Sequence, residues 1–384
     1  MMENQLLVGT QGEFELARYP AQMAGAKETL RAWDAADEFL LRHLAARTAG
    51  QILIVNDSWG ALSTALAKYH PWMLSDSYLS HAATRQNLVR NTIDASAVRL
   101  LTNFDPLPGA IDLVVLKIPK SLALLEDQLH RIASHIHEKT TFIAGAMAKH
   151  IHTSTLELLA KLVGPTKTSL AERKARLIFC EPDGALARAP NPWPKTYSIG
   201  VNSVVSHAGV FSPSRLDSGT SFLLGHLTLP SGPLKVIDLG CGIGVLGMKI
   251  AASNPEAEVI FIDESYRAVA SAEATFRANL APERTAQFLV GNGVFDLASG
   301  VPPPKGTIDR VLNNPPFHED HAIGDATAWR MFTESRDVLK RGGELWVVGN
   351  RHLGYHAKLK RLFGTCDVVA SNDRFVVLRA SRNG

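Results

Sequence analysis

Cysteine is scarce. Cys180, Cys241 and Cys366 lie far apart in 384 residues, are odd in number and form no Cys-x-x-Cys pair. This argues against a disulfide framework and a zinc site, and it suits a reducing cytoplasm. No run of about 18 apolar residues occurs, so no membrane span is expected. The N-terminus lacks the basic, apolar, then small-residue order of a signal peptide. Charge of one sign is lacking as well: 40 Lys and Arg stand against 37 Asp and Glu. No basic tail announces nucleic acid, although the balance permits an RNA partner. Apolar residues are plentiful at 46%, too many for a disordered chain, and the length favours two domains.

The hydrophobic pattern alternates. In the first half, the periodicity predicts a helix from Glu28 to Arg47, then strands Ile52 to Val55, Trp72 to Leu74, Leu113 to Leu116 and Thr141 to Ala144, with helices between them. In the second half, strands are expected at Val236 to Leu239, Glu258 to Ile262, Gln287 to Val290, Val311 to Leu312 and Glu344 to Val348, again separated by helices. Strands alternating with helices imply an α/β fold with a doubly wound, Rossmann-like parallel sheet covered on both faces. Between the halves, Ala189-Pro190-Asn191-Pro192-Trp193-Pro194 is too proline-rich for regular structure, and the domains are set at 1–185 and 186–384.

The halves match each other. Asp76-Ser77-Tyr78, with Asn91 closing its helix, parallels Glu264-Ser265-Tyr266 with Asn279. Val115-Leu116-Lys117-Ile118-Pro119-Lys120 parallels Val311-Leu312-Asn313-Asn314-Pro315-Pro316. Such self-similarity indicates two tandem copies of one domain. The first copy is degenerate. Its turn keeps only Gly60, Trp59 stands where a ligand's backbone approach is needed, and Lys-Ile-Pro-Lys offers no planar amide acceptor. Holding RNA through Lys117 and Lys120, or bracing the second copy, is its expected role.

Asp238-Leu239-Gly240-Cys241-Gly242-Ile243-Gly244 ends a strand and opens a helix. Its glycines allow a sharp turn and close approach of a ligand. Gly242 to Gly247 also fits the dinucleotide fingerprint, so a nicotinamide oxidoreductase stays open. Asp263, ending the next strand, suits a ribose diol in either case. Asp238 favours S-adenosylmethionine, because it faces a cationic methionine end where a pyrophosphate would be repelled. Glycines rather than a helix follow Asp238, which speaks against a helix-capping role. Asn292, in Gly291-Asn292-Gly293, is a candidate for the adenine edge or an ordinary turn residue. Gly240, Gly242 and Gly244 complete the expected cofactor set. Cys241 reads as a small turn residue rather than a nucleophile.

Asn314-Pro315-Pro316-Phe317 follows a later strand of the same sheet. Two prolines hold the chain extended, so the Asn314 carboxamide and the Pro315 carbonyl point the same way. Two such acceptors suit a planar –NH2 group, and Phe317 offers a ring on which a base stacks. Asn314, Pro315 and Phe317 are therefore the catalytic candidates. His318 and His321 read as phosphate contacts or loop caps, and no metal is expected. A protein glutamine carboxamide fits the same socket and remains an alternative acceptor.

These motifs, with Ala32-Trp33-Asp34-Ala35-Ala36-Asp37, His152-Thr153-Ser154-Thr155-Leu156-Glu157 and Asn350-Arg351-His352-Leu353, resemble the large-subunit 23S rRNA guanine-N2 methyltransferase G family over nearly the whole chain. A sister family acting on small-subunit (16S) rRNA shares the cofactor and Asn-Pro-Pro-Phe motifs, so the N-terminal half makes the distinction. Gly209-Val210-Phe211-Ser212, with Leu216-Asp217, is similar to the segment such enzymes place over the cofactor. The resemblance implies S-adenosyl-L-methionine as methyl donor and a single-stranded or flipped guanine of 23S rRNA as acceptor. It also implies a cytoplasmic enzyme, here expected to be a monomer with no membrane or metal partner.

Overall fold

In this computed structural model of the chain, residues 5–20, 30–44, 50–210, 216–228, 231–316 and 321–383 are described. Two compact units, Met1–Trp193 and Pro194–Gly384, divide it. The first runs β1 (Leu6–Gly9), β2 (Gly12–Glu15), α1 (Ala35–Leu44), β3 (Ile52–Val55), α2 (Ala61–Ala65), β4 (Trp72–Leu74), α3 (Tyr78–Arg90), β5 (Arg99–Leu101), β6 (Ile111–Lys117), α4 (Leu122–Ala133), β7 (Ile136–Met147), α5 (Thr153–Leu162), β8 (Thr166–Thr168) and β9 (Ala175–Cys180). The second runs β10 (Lys195–Ile199), β11 (Asn202–Ser206), α6 (Ser218–Leu224), β12 (Leu234–Leu239), α7 (Val245–Ser253), β13 (Ala257–Asp263), α8 (Tyr266–Asn279), β14 (Gln287–Val290), β15 (Ile308–Asn313), α9 (His321–Val338), β16 (Leu339–Asn350), α10 (Tyr355–Phe363), β17 (Asp367–Ser371) and β18 (Phe375–Ser381).

Each unit holds one seven-stranded sheet, in the orders β5-β4-β3-β6-β7-β9-β8 and β14-β13-β12-β15-β16-β18-β17. The orders are the same once the strands are numbered within each unit. Six strands of each sheet run in one direction, and only β9 and β18 run against their neighbours on both sides. The expectation of a wholly parallel sheet is corrected at that edge. In β17, Asp367, Val368 and Val369 are exposed, so an edge strand of this kind carries little of the continuous apolar signal of a buried one.

The middle strands form because their side chains can be buried on both faces. All four residues of β3 are fully buried, and each such aliphatic side chain stabilises the fold by roughly 1.5–3 kcal/mol. Chain order reverses between β3 and β6, and between β12 and β15, which opens a crevice at the carboxyl ends of those strands.

The repeated motifs have physical causes. Ser77 and Ser265 are N-caps, accepting from the N–H of Ser80 and Ala268 at 3.3 and 3.0 Å. Asn91 and Asn279 each grip a backbone amide of a hairpin beside the sheet. Asn91 Oδ1 accepts from Glu15 N–H and its Nδ2 donates to Glu15 O, at 2.8 and 2.7 Å. Asn279 does the same with Ser203, at 2.9 and 2.6 Å.

The two compact units meet at Trp193 and Pro194, within the proline-rich segment. Asn191 Nδ2 donates to Asp127 and Trp193 Nε1 to Glu126, so the proline-rich segment is tied to α4 of the first unit.

Candidate active site of the second unit

The glycine turn leaves β12 at the crevice. Gly240 and Cys241 donate their N–H to Ile262 O at 2.8 and 3.0 Å, which bends the chain over the end of β13. Gly240, Gly242 and Gly244 have φ of +70°, +52° and +77°. A Cβ on Gly244 would lie 2.7 Å from Ala272 Cβ, so α7 and α8 pack closely there. A Cβ on Gly242 would meet nothing within 4 Å, which leaves the backbone open to a ligand.

Asp263, half-buried, accepts from Gly242 N–H through Oδ2 and from Ser265 N–H through Oδ1, both at 3.0 Å. Each oxygen keeps a lone pair for a ribose hydroxyl. Burial raises its pKa, against those backbone hydrogen bonds. This open turn with a carboxylate beside it fits the nucleoside part of S-adenosylmethionine.

Asp238 departs from expectation. It is 1% exposed, and Oδ2 accepts from Gly247 N–H at 2.8 Å in the first turn of α7. It therefore does cap a helix, from the strand and across the glycines. Oδ1 is buried without a partner. Burial pushes the carboxyl up to about 7; the Gly247 hydrogen bond opposes this and Asp263 reinforces it. Such an acid keeps its proton in the native state at pH values where the unfolded chain has lost it. Its stabilising contribution is full below the unfolded value of 3.8 and is lost as pH rises towards about 7. Asp238→Asn keeps an oxygen for Gly247 and removes the titration. The Tm of the variant minus that of the wild type should grow across that window and level off above it, as thermal melts at stepped pH will show.

Asn292 is 3% exposed; Nδ2 donates to Asp296 Oδ2 at 3.3 Å and its backbone O accepts from Arg330 at 2.7 Å. Val294 N–H donates to Glu334 at 2.6 Å, so two residues of α9 clamp this turn. The Cys241 thiol is buried, and burial first, then Asp263 and Asp238, push its pKa well up. It carries no nucleophile's charge.

Across the crevice, Asn313 is fully buried at the end of β15, and Nδ2 donates to Leu239 O at 2.8 Å. Asn314 follows, half-buried. Its Nδ2 donates to Asp217 Oδ2 at 3.0 Å and to Thr220 Oγ1 at 2.9 Å. Oδ1 is buried with no partner. Pro315 is buried and Pro316 exposed. Phe317 and His318 lie outside the described residues, as do the side chain of His321 and Phe211 with Ser212. Val210 of that last segment packs with Ile243 of the glycine turn, Val245 and Ala268. The sequence reading missed Asn313, Asp217 and Thr220 as partners. Asn313 had no signal, whereas Asp217 carried one as an N-cap type before a helix.

The same place in the first unit is filled. Val55 pairs with Leu116 as Leu239 pairs with Asn313. Asn56 therefore stands where Gly240 does, and Lys117 where Asn314 does. This shifts the sequence alignment, which set Lys117 against Asn313, by one residue. Asn56 and Gln128 exchange hydrogen bonds of 2.9 and 2.7 Å, and Asn56 Nδ2 also donates to Lys117 O. Lys117 Nζ lies 2.7 Å from both Asp34 and Asp37. Burial works against its charge, but Asp37 and Asp34 outweigh burial and raise its pKa. Lys117 is thus held in an internal ion pair with Asp34 and Asp37. Trp59 packs against an apolar cluster that includes Leu7, Leu16 and Leu62.

Two family models match the chain: the RLMG N-terminal domain over residues 4–184 and the methyltransferase small domain over 202–379. Ribosomal RNA large subunit methyltransferase G of Streptomyces avermitilis is 55% identical over 379 residues, covering 96% of this chain and 97% of that one. The chain belongs to the ribosomal RNA large subunit methyltransferase G family. The Yersinia pestis (strain Pestoides F) relative of that name is 46% identical over 385 residues, covering 98% and 94%. A solved structure of the T. thermophilus 16S rRNA N2 methyltransferase RsmC, in complex with AdoMet and guanosine, superposes with a TM-score of 0.75 at 21% identity, over 98% of this chain and 97% of that one. That likeness shows the two-domain α/β fold. The chain is an S-adenosyl-L-methionine-dependent methyltransferase, as its family is. Among the described residues no helix is long and apolar enough to cross a membrane, and no His, Cys, Asp or Glu cluster is placed to hold a metal.

Proposed function

We propose that this chain methylates the exocyclic N2 of a specific guanine in 23S rRNA, in the cytoplasm and as a monomer. The unpartnered, buried Oδ1 of Asn314 carries the reading. It lies at the end of the strand next to the one that opens into the glycine turn, and it is an acceptor awaiting an N–H donor. The relatives' large-subunit name, at 46–55% identity over almost the full chain, supports 23S over 16S rRNA.

The guanine amino lone pair is delocalised into the ring, which makes this nitrogen a poor nucleophile. Asn314 Oδ1 and the Pro315 carbonyl accept its two N–H bonds, raise its electron density and aim the lone pair. Phe317 provides the stacking face for the base, which must be single-stranded or flipped out of its helix. When bound, S-adenosylmethionine supplies an electrophilic methyl on a sulfonium. Asp263 and the backbone of Gly240, Gly242 and Gly244 hold the nucleoside end, with Asp238 and Asn292 fixing the turns on either side. Alignment of the two reactants supplies much of the rate. The nitrogen's pair would form the new bond to the methyl carbon as the carbon–sulfur bond breaks and its pair returns to sulfur, leaving S-adenosylhomocysteine. The Asn314 and Pro315 carbonyl dipoles would stabilise the positive charge that grows on nitrogen. The proton then leaves to water, and no side chain is assigned as base.

Deproteinised 23S rRNA from a strain lacking this protein should accept labelled methyl, recovered on digestion as N2-methylguanosine. Label found only in 16S rRNA, or only in protein, would overturn the assignment.

A further inference from the structure

We propose that Asp217 and Thr220 are positioning residues for methyl transfer. They form a bracket that locks the Asn314 carboxamide with its oxygen toward the substrate. This rests on the function proposed above and adds to it a reason why the amide cannot turn.

A carboxamide is nearly symmetric in shape, so packing alone does not decide which end faces a ligand. Hydrogen bonding decides here. The Asn314 –NH2 has two hydrogens, and Asp217 Oδ2 at 3.0 Å and Thr220 Oγ1 at 2.9 Å provide one acceptor for each. A half-turn of the amide would set Oδ1 against the Asp217 carboxylate, acceptor facing acceptor. It would also present –NH2 to an amino group that needs an acceptor. With the bracket in place both hydrogens of the amide are consumed, and Oδ1 is the atom left buried and unpartnered.

The bracket itself is rigid. Asp217 is the N-cap of α6, and the oxygen that receives Asn314 also accepts from Thr220 N–H at 2.8 Å. Gly219 lies between the two residues. A Cβ there would stand 3.0 Å from Asp217 Oδ2, tight enough to press on it, and 3.6 Å from Asn314 Oδ1, an ordinary contact.

The first unit repeats the device with a different guest. Asp34 accepts from Ala36 and Asp37 N–H at the start of α1, and Asp34 and Asp37 both grip Lys117, the counterpart of Asn314. An Asp at a helix start and a second oxygen three residues on thus hold the residue at the carboxyl end of the fourth strand in one sheet, and the residue just after it in the other. Lys117 has donors only, so both acceptors are consumed and nothing is presented. Asn314 has one acceptor to spare. Its oxygen selects acceptors of methyl that carry an N–H over those that carry only a carbonyl or an ether oxygen.

The test uses the full chain with labelled S-adenosylmethionine and three acceptors: 23S rRNA, 16S rRNA and ribosomal protein, each separately. Ser and Asn cap helices as well as Asp does, so Asp217→Ser and Asp217→Asn both keep α6 and should melt together. Only Asn is long enough to keep an oxygen on Asn314. Asp217→Ser should lower kcat by about 10- to 100-fold, with unchanged cofactor Kd. Asp217→Asn should bring kcat back to within about threefold of wild type. Thr220→Val, which frees one of the two hydrogens, should fall between them, and Thr220→Ser should restore it. Equal kcat for Asp217→Ser and Asp217→Asn, on whichever acceptor the wild type uses, overturns the bracket. A wild type that methylates only 16S rRNA or protein overturns the substrate assignment instead.

Discussion

Asn314→Ala lowers kcat by about 10²–10³-fold, the cost of removing one preorganised group at a centre of developing charge. Cofactor Kd stays within about threefold, because the glycine turn and Asp263 belong to β12, β13 and the loops after them, not to β15. The variant folds. Asp217 retains the Thr220 N–H, and what the truncation removes includes an oxygen that was buried without a partner. The lost donor to Asp217 Oδ2 and Thr220 Oγ1 costs about 1–3 kcal/mol, a fraction of a domain's stability. Single-turnover transfer and calorimetric titration of cofactor separate the two effects. An equal loss of cofactor binding would defeat the assignment of Asn314 to the accepting base.

Asp263→Ala raises cofactor Kd by roughly 10- to 100-fold, since hydrogen bonds to a charged group each contribute about 1.5–3 kcal/mol. Two effects act in the same direction. The variant removes the acceptors offered to a ribose diol, and it frees Gly242 N–H and Ser265 N–H, which the carboxylate now holds. The turn then loses the side chain that pins its middle. Asp263→Asn, with one acceptor fewer and no charge, should fall between alanine and wild type. An unchanged Kd for Asp263→Ala, measured calorimetrically, would refute the role.

Much of the site was legible because its chemistry is local. The glycines announce a turn that only small residues can make, and Asn-Pro-Pro enforces an extended exit from a strand. The strand-ending acids fall where a doubly wound sheet places ligands. Asp238 was misread because its capping partner, Gly247, lies beyond three glycines on the far side of the turn. That Trp59 packs against the first unit's apolar cluster is a contact that short spacing does not announce. Lys117 looked like a surface cation; its two aspartates, Asp34 just before α1 and Asp37 in its first turn, lie far away in the chain.

By itself the sequence determined the tandem architecture, the glycine turn and the extended Asn-Pro-Pro exit from a strand, since each follows from residue type and short spacing. Only the tertiary structure decided which way that amide faces and why the first copy offers no such acceptor. Both depend on which donors and acceptors meet across elements distant in sequence: Asp217 and Thr220 against Asn314 in one unit, Asp34 and Asp37 against Lys117 in the other. Hydrogen bonds of this kind are settled by angstrom-scale packing, on which the order of residues along the chain is silent.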